Sequence, residues 1–341
     1  MTKLTIRDIA RAAGVSTATV SRALRGMDNV DTRTREHVLA VARRLDYSVS
    51  PSASRLATGR SGTIGIVTPF VGRWYFTELF AGIEAALAPH DLDLLIHTTE
   101  EPAGTVPVTE AHVRLRRRVD GAIVIGLGPG SRELAHLAAS GIPLVLVGAE
   151  VAGITSVAID DRAAAAVAVS HLADLGHRRI GLISGRPLPT PFLPENDRLA
   201  GYLDVLRARR LPHPRTHRRV GGFTVSGGAR AMAGLLDVEP RVTAVFSMSD
   251  EMAYGALHVM RRAGVRASGA RDAGDIAVVG FDGHDLADVF DLTTVEQPVR
   301  RLGKLAMELL MRQLQGDRPS SIVVPTTLRV RASTDGNVAN E

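Results

Sequence analysis

From residue 62 onward the chain alternates short apolar runs with longer amphipathic stretches, and this alternation restricts its fold more than any other feature. The runs are "TIGIVTPF", "DLLIHTT", "DGAIVIG", "PLVLVG", "RIGLISG", "TAVFSMSD" and "IAVVGFD". Between them, residues 76–88, 131–140, 161–175, 195–209, 226–236 and 251–264 read as helices. Val/Ile-rich strands alternating with helices predict parallel sheets covered on both faces, because each parallel crossover lays a helix on the sheet. The strands are too many for one comfortable sheet, so two lobes are expected, with a ligand at the carboxyl ends of the strands. No repeat shorter than a lobe is evident.

The chain has 341 residues, more than one ordinary core accommodates, and its 45% hydrophobic and 23% charged content is that of a globular protein. It contains no cysteine, which excludes disulfides and thiolate metal sites and fits a reducing cytoplasm. "MTKLTIRDIA" carries charges where a signal peptide needs an apolar stretch. No run approaches the ~18 apolar residues of a membrane span. The expectation is a cytoplasmic protein with no membrane partner. The charge is segregated. Residues 1–60 hold eleven Lys/Arg and five acids, leaving 30 basic residues of 41 and 31 acidic residues of 36 for the remainder. A basic N-terminal module points to phosphate contact.

Within that module "TIRDIARAAG" spaces Ile6, Ile9, Ala10 and Ala13 at helical intervals, and Gly14 supplies a helix end. Ser16 fits an N-cap for a second helix that turns Val20 and Leu24 inward. "DTRTREHVLAVARRLDY" predicts a third helix burying Val38, Val41, Ala42 and Leu45. Ala10, Gly14 and Val20 are what a helix-turn-helix requires: close approach, a turn and an apolar lock. The second helix, in "VSTATVSRALRG", is rich in Ser and Thr, which are mediocre helix formers. Presented to a major groove, they acquire a use. Ser16, Thr19 and Ser21 reach phosphates, Thr17 and Ala18 meet thymine methyls, and Arg22 reads guanine.

"YSVSPSASRLATGRSG" follows, linker-like in composition, yet Ser50-Pro51 fits a helix start and Gly59 a helix end. So short a helix is marginal alone, and its Leu56 needs a partner. One is the larger domain. Another is a DNA minor groove, where apolar side chains wedge between base steps.

At this point the text resembles the lactose repressor (LacI/GalR) family, through "TIRDIARAAGVSTATVSRAL", "TREHVLAVARRLDY" and "SPSASRLATG". The resemblance continues to about residue 335 in "HLADLGHRRIGLISG", "DRLAGY", "SDEMAYGAL", "IAVVGFD" and "LTTVEQPVRRLGKLAMELLMRQLQG". It implies an α/β protein with an all-α helix-turn-helix head and a two-lobed periplasmic-binding-protein-like core of parallel sheets, crossed three times by the chain. The implied boundaries are 1–48 for the head, 49–61 for the hinge, 62–335 for the core and 336–341 for a tail. Within the core, the N-lobe takes 62–160 and 292–320, and the C-lobe 161–291 and 321–335. The resemblance also implies a dimer on operator DNA, with Leu56 as the wedge, Ala53 beside it, and Thr5, Thr34 and Tyr47 among the DNA contacts. The polar stretch "VRASTDGNVANE" has no leucine heptad, so a dimer and not a tetramer is expected.

Where the text matches, ligand residues carry over. Arg198 of "DRLAGY" and Asp282 of "IAVVGFD" would clamp hydroxyls, and Phe223 of "GGFTVSGG" would pack against a sugar face. Tyr75 and Phe76 fall where the N-lobe contributes apolar contacts, with Trp74, the only tryptophan, adjacent. Asp160, Asp161 and Asp250 read as caps of the helices that follow. Two departures leave the ligand open: Ser249 where many members carry Asn, and Ala149-Glu150 where many carry Asp-Arg. The resulting expectation is a repressor released by a small sugar, with no cofactor. The alternative is the same fold answering to a nucleobase corepressor or a phosphoprotein partner. An enzyme has little support, because nucleophile-elbow and P-loop motifs are missing and His171 and His177 do not share a helix face. A secreted solute-binding protein would need an export signal and no basic head.

Overall fold

The computed structural model describes residues 4–24, 29–47, 61–99, 115, 118–128, 130–185, 193–269 and 274–335. It divides at residue 62 into two compact units. The first contains α1 (Ile6–Ala13), α2 (Thr17–Leu24) and α3 (Thr32–Arg44). Gly14 caps α1 at φ +66°, a conformation that costs any residue with a β-carbon. Helices of eight residues do not hold themselves in water. They are held here by a shared core of Ile9, Ala10, Ala13, Val20, Ala23, Val30, Val38 and Val41. The second inward position of α2 is Ala23 rather than Leu24, which only packs at the edge of this core.

In the second unit the described strands form two six-stranded sheets. The first sheet runs β11-β5-β4-β3-β1-β2, from β1 (Thr63–Thr68), β2 (Asp93–Thr98), β3 (Gly121–Ile125), β4 (Leu144–Val147), β5 (Thr155–Ala158) and β11 (Ile322–Val323). All of its pairings are parallel. The second runs β12-β10-β9-β8-β6-β7, from β6 (Ile180–Ser184), β7 (Arg218–Val220), β8 (Ala244–Ser247), β9 (Ala277–Asp282), β10 (Thr293–Glu296) and β12 (Thr327–Arg329). Both sheets are parallel as expected, except that the edge strand β12 runs antiparallel to β10. Alternation along the strands sorts side chains between two faces. Ile64, Ile66, Ile123, Ile125, Val145 and Val147 join one apolar cluster, and Val67, Ala122, Val124, Leu144 and Leu146 join another. Each Val, Leu or Ile among them, fully buried, contributes roughly 1.5–3 kcal/mol.

The helices are α4 (Trp74–Leu87), α5 (Arg132–Ala139), α6 (Asp161–Asp174), α7 (Leu193–Ala208), α8 (Val225–Leu236), α9 (Asp250–Arg262) and α10 (Val299–Leu314). Three helix pairs cross at glycines. A β-carbon on Gly82 would collide with the Arg300 carbonyl and one on Gly303 with that of Leu79, so α4 and α10 meet backbone to backbone. Gly228 and Gly255 do the same for α8 and α9, and Gly201 does so for α7 against α6.

The chain crosses between sheets three times: after β5, after β10 and after β11. Two boundaries differ from those the sequence implied. Residues 293–296 pair in the second sheet and 322–323 in the first, so the segments 292–320 and 321–335 are each split between lobes. The hydrogen-bonded strand ladder decides membership here, and strands of two to four residues leave too weak a pattern to locate it beforehand.

Candidate functional site

A cleft of about 880 Å³, mouth included, lies where the carboxyl ends of both sheets face each other. Its walls come from strand ends and the segments just after them: Ile125 and Gly126, Val147 and Gly148, Ile159, Ser249, Asp282 and Gln297. Open α/β sheets place ligands at such edges because adjacent crossovers diverge there. The six residues proposed from sequence, Tyr75, Phe76, Arg198, Phe223, Ser249 and Asp282, all line this one space.

Arg198 rises from the first turns of α7 and is buried. Its Nε donates to Asp161 at 2.7 Å and its Nη1 to the Met248 carbonyl at 2.7 Å, with Asp282 3.8 Å from Nη1. The guanidinium also lies 3.7 Å over the Phe281 ring. It is therefore both a cleft wall and a structural ion pair. Asp161 is not the cap that its position implied. Asp160 caps α6, accepting from the Ala163 N–H at 2.9 Å, which leaves Asp161 to turn inward toward Arg198. Burial pushes the Asp161 carboxyl up, against the pull of Arg198.

Asp250 is also not a cap. Ser249 caps α9, its hydroxyl accepting from the Met252 N–H at 3.3 Å. Asp250 instead accepts from the Gly283 N–H (2.9 Å), the His284 N–H (2.8 Å) and the Thr294 hydroxyl (2.7 Å). Burial lifts it to about 7, and these bonds oppose the shift. The result is a pin that fixes the β9 exit, where Asp282 stands at φ +124° with Gln297 Nε2 donating to it at 2.8 Å. Burial raises Asp282 well above the usual carboxylate range, and Arg198 counters this. Phe223, at φ +55°, is the second left-handed residue in the cleft wall that is not glycine. Strain of this kind costs about 1–3 kcal/mol and collects at functional sites. The Phe223 ring occupies the space that a β-carbon on Gly185 would need.

Phe70, Tyr75 and Phe76 supply the aromatic wall opposite. Burial and the nearby Asp161 raise the Tyr75 phenol. Glu251 lines the same space, and Glu195 lies beside Gly185, pushed up to about 7 by burial. At the rim, Trp74 of α4 stacks on His284 of the loop after β9, with centroids 4.7 Å apart and planes at 21°. One lobe thus touches the other at the rim through this ring pair, with Tyr254 edge-on to His284 at 5.3 Å.

Sequence reasoning missed Asp161, Gln297, Glu251 and Arg73 as lining residues. Only Gln297 had a usable signal, since it follows β10 directly in "VEQPV".

The head residues are not all placed alike. Thr17, Ala18 and Arg22 are exposed along α2, and Ser16 caps it, accepting from the Thr19 N–H at 3.0 Å. Thr5 stands at the start of α1 and donates from its hydroxyl to Asp8 at 2.7 Å, while Ser21 and Thr34 are partly exposed. Tyr47 packs against the head core, so much of its ring serves packing. Ala53 and Leu56 lie outside the described residues.

Comparison with known proteins gives a consistent picture. The description "Bacterial regulatory proteins, lacI family" matches residues 5–50, and "Periplasmic binding protein-like domain" matches 169–334. The HTH-type transcriptional repressor CytR of Escherichia coli (strain K12) is 33% identical, over 98% of this chain and 97% of that protein. Catabolite control protein A of Priestia megaterium is 32% identical over 97% and 99%. Among solved structures, the lac repressor dimer bound to operator and the anti-inducer ONPF aligns with a TM-score of 0.85 and 27% identity, covering 98% of this chain and all of that one. A complex of the transcriptional regulator CelR with cellobiose aligns at 0.67 and 30% identity, covering 97% and 99%.

Proposed function

The chain belongs to the lacI family of bacterial regulatory proteins, and from that premise we propose that it is a dimeric repressor released from operator DNA by a small hydroxyl-rich sugar in the cleft. It is a DNA-binding transcriptional regulator, and its relatives are regulators rather than enzymes. Among the described residues no helix is long and apolar enough to cross a membrane; action in the cytoplasm is proposed from the DNA-binding role. The head contributes α2, whose exposed Thr17, Ala18 and Arg22 suit base edges while Ser16, Thr19 and Ser21 suit phosphates. Leu56 and Ala53 are assigned to the minor groove.

One observation carries the effector reading. Arg198, Asp282 and Phe223 of one lobe and Tyr75 and Phe76 of the other face a single cleft. Carboxylate and guanidinium groups offer paired hydrogen bonds to vicinal hydroxyls, and aromatic faces accept the C–H face of a sugar ring. A ligand that touches both lobes favours the closed arrangement and can shift operator affinity only through that preference. The CelR relative is solved with cellobiose, which supports a sugar here.

The test is an operator titration at fixed salt, with and without a sugar that raises the melting temperature in a thermal-shift panel. Wild type is expected to release DNA, and Asp282→Asn, which tolerates the left-handed backbone, to bind operator normally and ignore the sugar. Release by folded Asp282→Asn at the wild-type sugar concentration would remove Asp282 from the site. Tightening of wild-type binding would make the ligand a corepressor.

A further inference from the structure

We infer that the cleft admits hydroxyl-rich effectors only while they carry no phosphate or carboxylate group, so that it distinguishes a sugar from its own phosphorylated product. This rests on the reading of the cleft as the effector site. The first support is the inventory of charge around the space. Among the described residues, Asp161, Glu251 and Asp282 line it and Glu195 stands beside it, against Arg73 and Arg198.

Both arginines are engaged in part by the protein itself. Arg198 spends Nε on Asp161 and Nη1 on the Met248 carbonyl, and its plane is covered by Phe281. The Arg73 guanidinium lies over the Phe70 ring, 3.6 Å from its centroid, and its charge acts on Glu251. Among the described lining residues, an incoming anion therefore finds no guanidinium free of protein partners, the kind of fork that holds phosphate best. It would also lie among three or four carboxyl groups within a space partly closed to water. Burial raises Asp161, Glu195, Glu251 and Asp282 alike, so the surroundings already disfavour the charged form of the cleft's own acids. A phosphate there has the same difficulty, with more charge. Neutral hydroxyls do not, because they donate to the carboxylates without adding charge.

Functionally, the ligand is the substrate of phosphoryl transfer onto a hydroxyl and not the product. A kinase-type reaction on the same sugar would end the signal by turning it into a molecule the cleft rejects. Discrimination by an unfavourable element, and not only by better contacts with the correct ligand, is how specificity between close analogues is usually built.

The experiment uses the full-length protein with matched probes: glucose and glucose 6-phosphate, ribose and ribose 5-phosphate, cytidine and its 5′-monophosphate, with cellobiose as a further neutral probe. Thermal shift and Trp74 emission report binding. In any pair that binds, the neutral member is expected to bind at least about 100-fold more tightly, as moving a phosphate from water into surroundings that already disfavour buried negative charge implies. A phosphorylated member binding as well as its neutral partner, or better, overturns the inference. A second measurement needs no ligand. Trp74, the only tryptophan, sits at the rim, where the local potential sets how well charged quenchers approach it. Relative to free tryptophanamide and normalised to acrylamide, caesium should quench it better than iodide, and Glu251→Gln should narrow that difference. Better quenching by iodide overturns anion exclusion even if no probe binds. Caesium preference with no binding of any neutral sugar leaves anion exclusion standing and refutes the sugar reading instead.

Discussion

Arg198→Ala should be a poor probe of ligand binding, because the structure makes Arg198 part of what holds the second lobe together. Both it and Asp161 are buried, at 6% exposure each, and they are joined at 2.7 Å. Removing the guanidinium leaves Asp161 without its counterion, leaves the Met248 carbonyl without that donor and uncovers the Phe281 face. Breaking one half of a buried ion pair costs about 3–5 kcal/mol, most of it the uncompensated charge. Replacing both halves by neutral groups of similar volume costs far less. The double variant Asp161→Asn/Arg198→Met should therefore be more stable than Arg198→Ala alone, by roughly 2 kcal/mol.

The pH dependence gives a second handle with a definite sign. In wild type, burial already raises Asp161 while Arg198 pulls it down. Without Arg198 its folded value rises further above its unfolded value. A carboxyl raised on folding stabilises most below its unfolded value, and that contribution is lost as pH rises through the folded one. The deficit of Arg198→Ala should shrink near pH 5 and grow toward pH 8. Urea unfolding of wild type, Arg198→Ala and the double variant at those two pH values measures both effects. If Arg198→Ala and the double variant lose equal stability at pH 8, or if the deficit does not depend on pH, the uncompensated-charge argument is wrong.

Two further outcomes follow from geometry. Burial depresses His284, whose surroundings are Asp285 on its own loop, Asp250 and Tyr254 from α9, and Glu78 and Trp74 from α4. A histidine lowered on folding contributes stability above its unfolded value and loses it as pH falls, so Trp74 emission should titrate on the acid side of 6.5 and lose that titration in His284→Phe; an unchanged profile would exclude His284 as the group. Gly255→Ala drives a methyl into the Val225 carbonyl and should cost about 3 kcal/mol or more by urea unfolding, whereas Gly72→Ala, with open space around it, should be nearly neutral; equal behaviour would mean α8 and α9 can separate freely.

The cleft was legible from the sequence where side-chain chemistry coincides with local pattern. The family resemblance carried Asp282, at the end of a Val-rich strand, and Arg198, in a motif near a helix start, to the ligand site, and both line the cleft. The three α-helices of the head were legible from the pattern itself, because Ile9, Ala13, Val20 and Val38 keep helical spacing on faces that can only be buried. Asp161 and Asp250 were not. Each stands at the first position of a helix, where the local rule for an acid is capping or dipole compensation. In both cases the residue just before it, Asp160 or Ser249, takes the cap, and the helix start then turns the second side chain inward. Which of two adjacent polar residues becomes the cap depends on where the backbone enters the helix, and that is set by the strand ladder two residues earlier. The lobe boundary failed on the same ground, since β10 and β11 are too short to show a pattern and their sheet is chosen by partners far away in sequence. Asp161, one of the acids that line the cleft, therefore lies where a neighbour satisfies the local rule, and it is placed by tertiary structure alone.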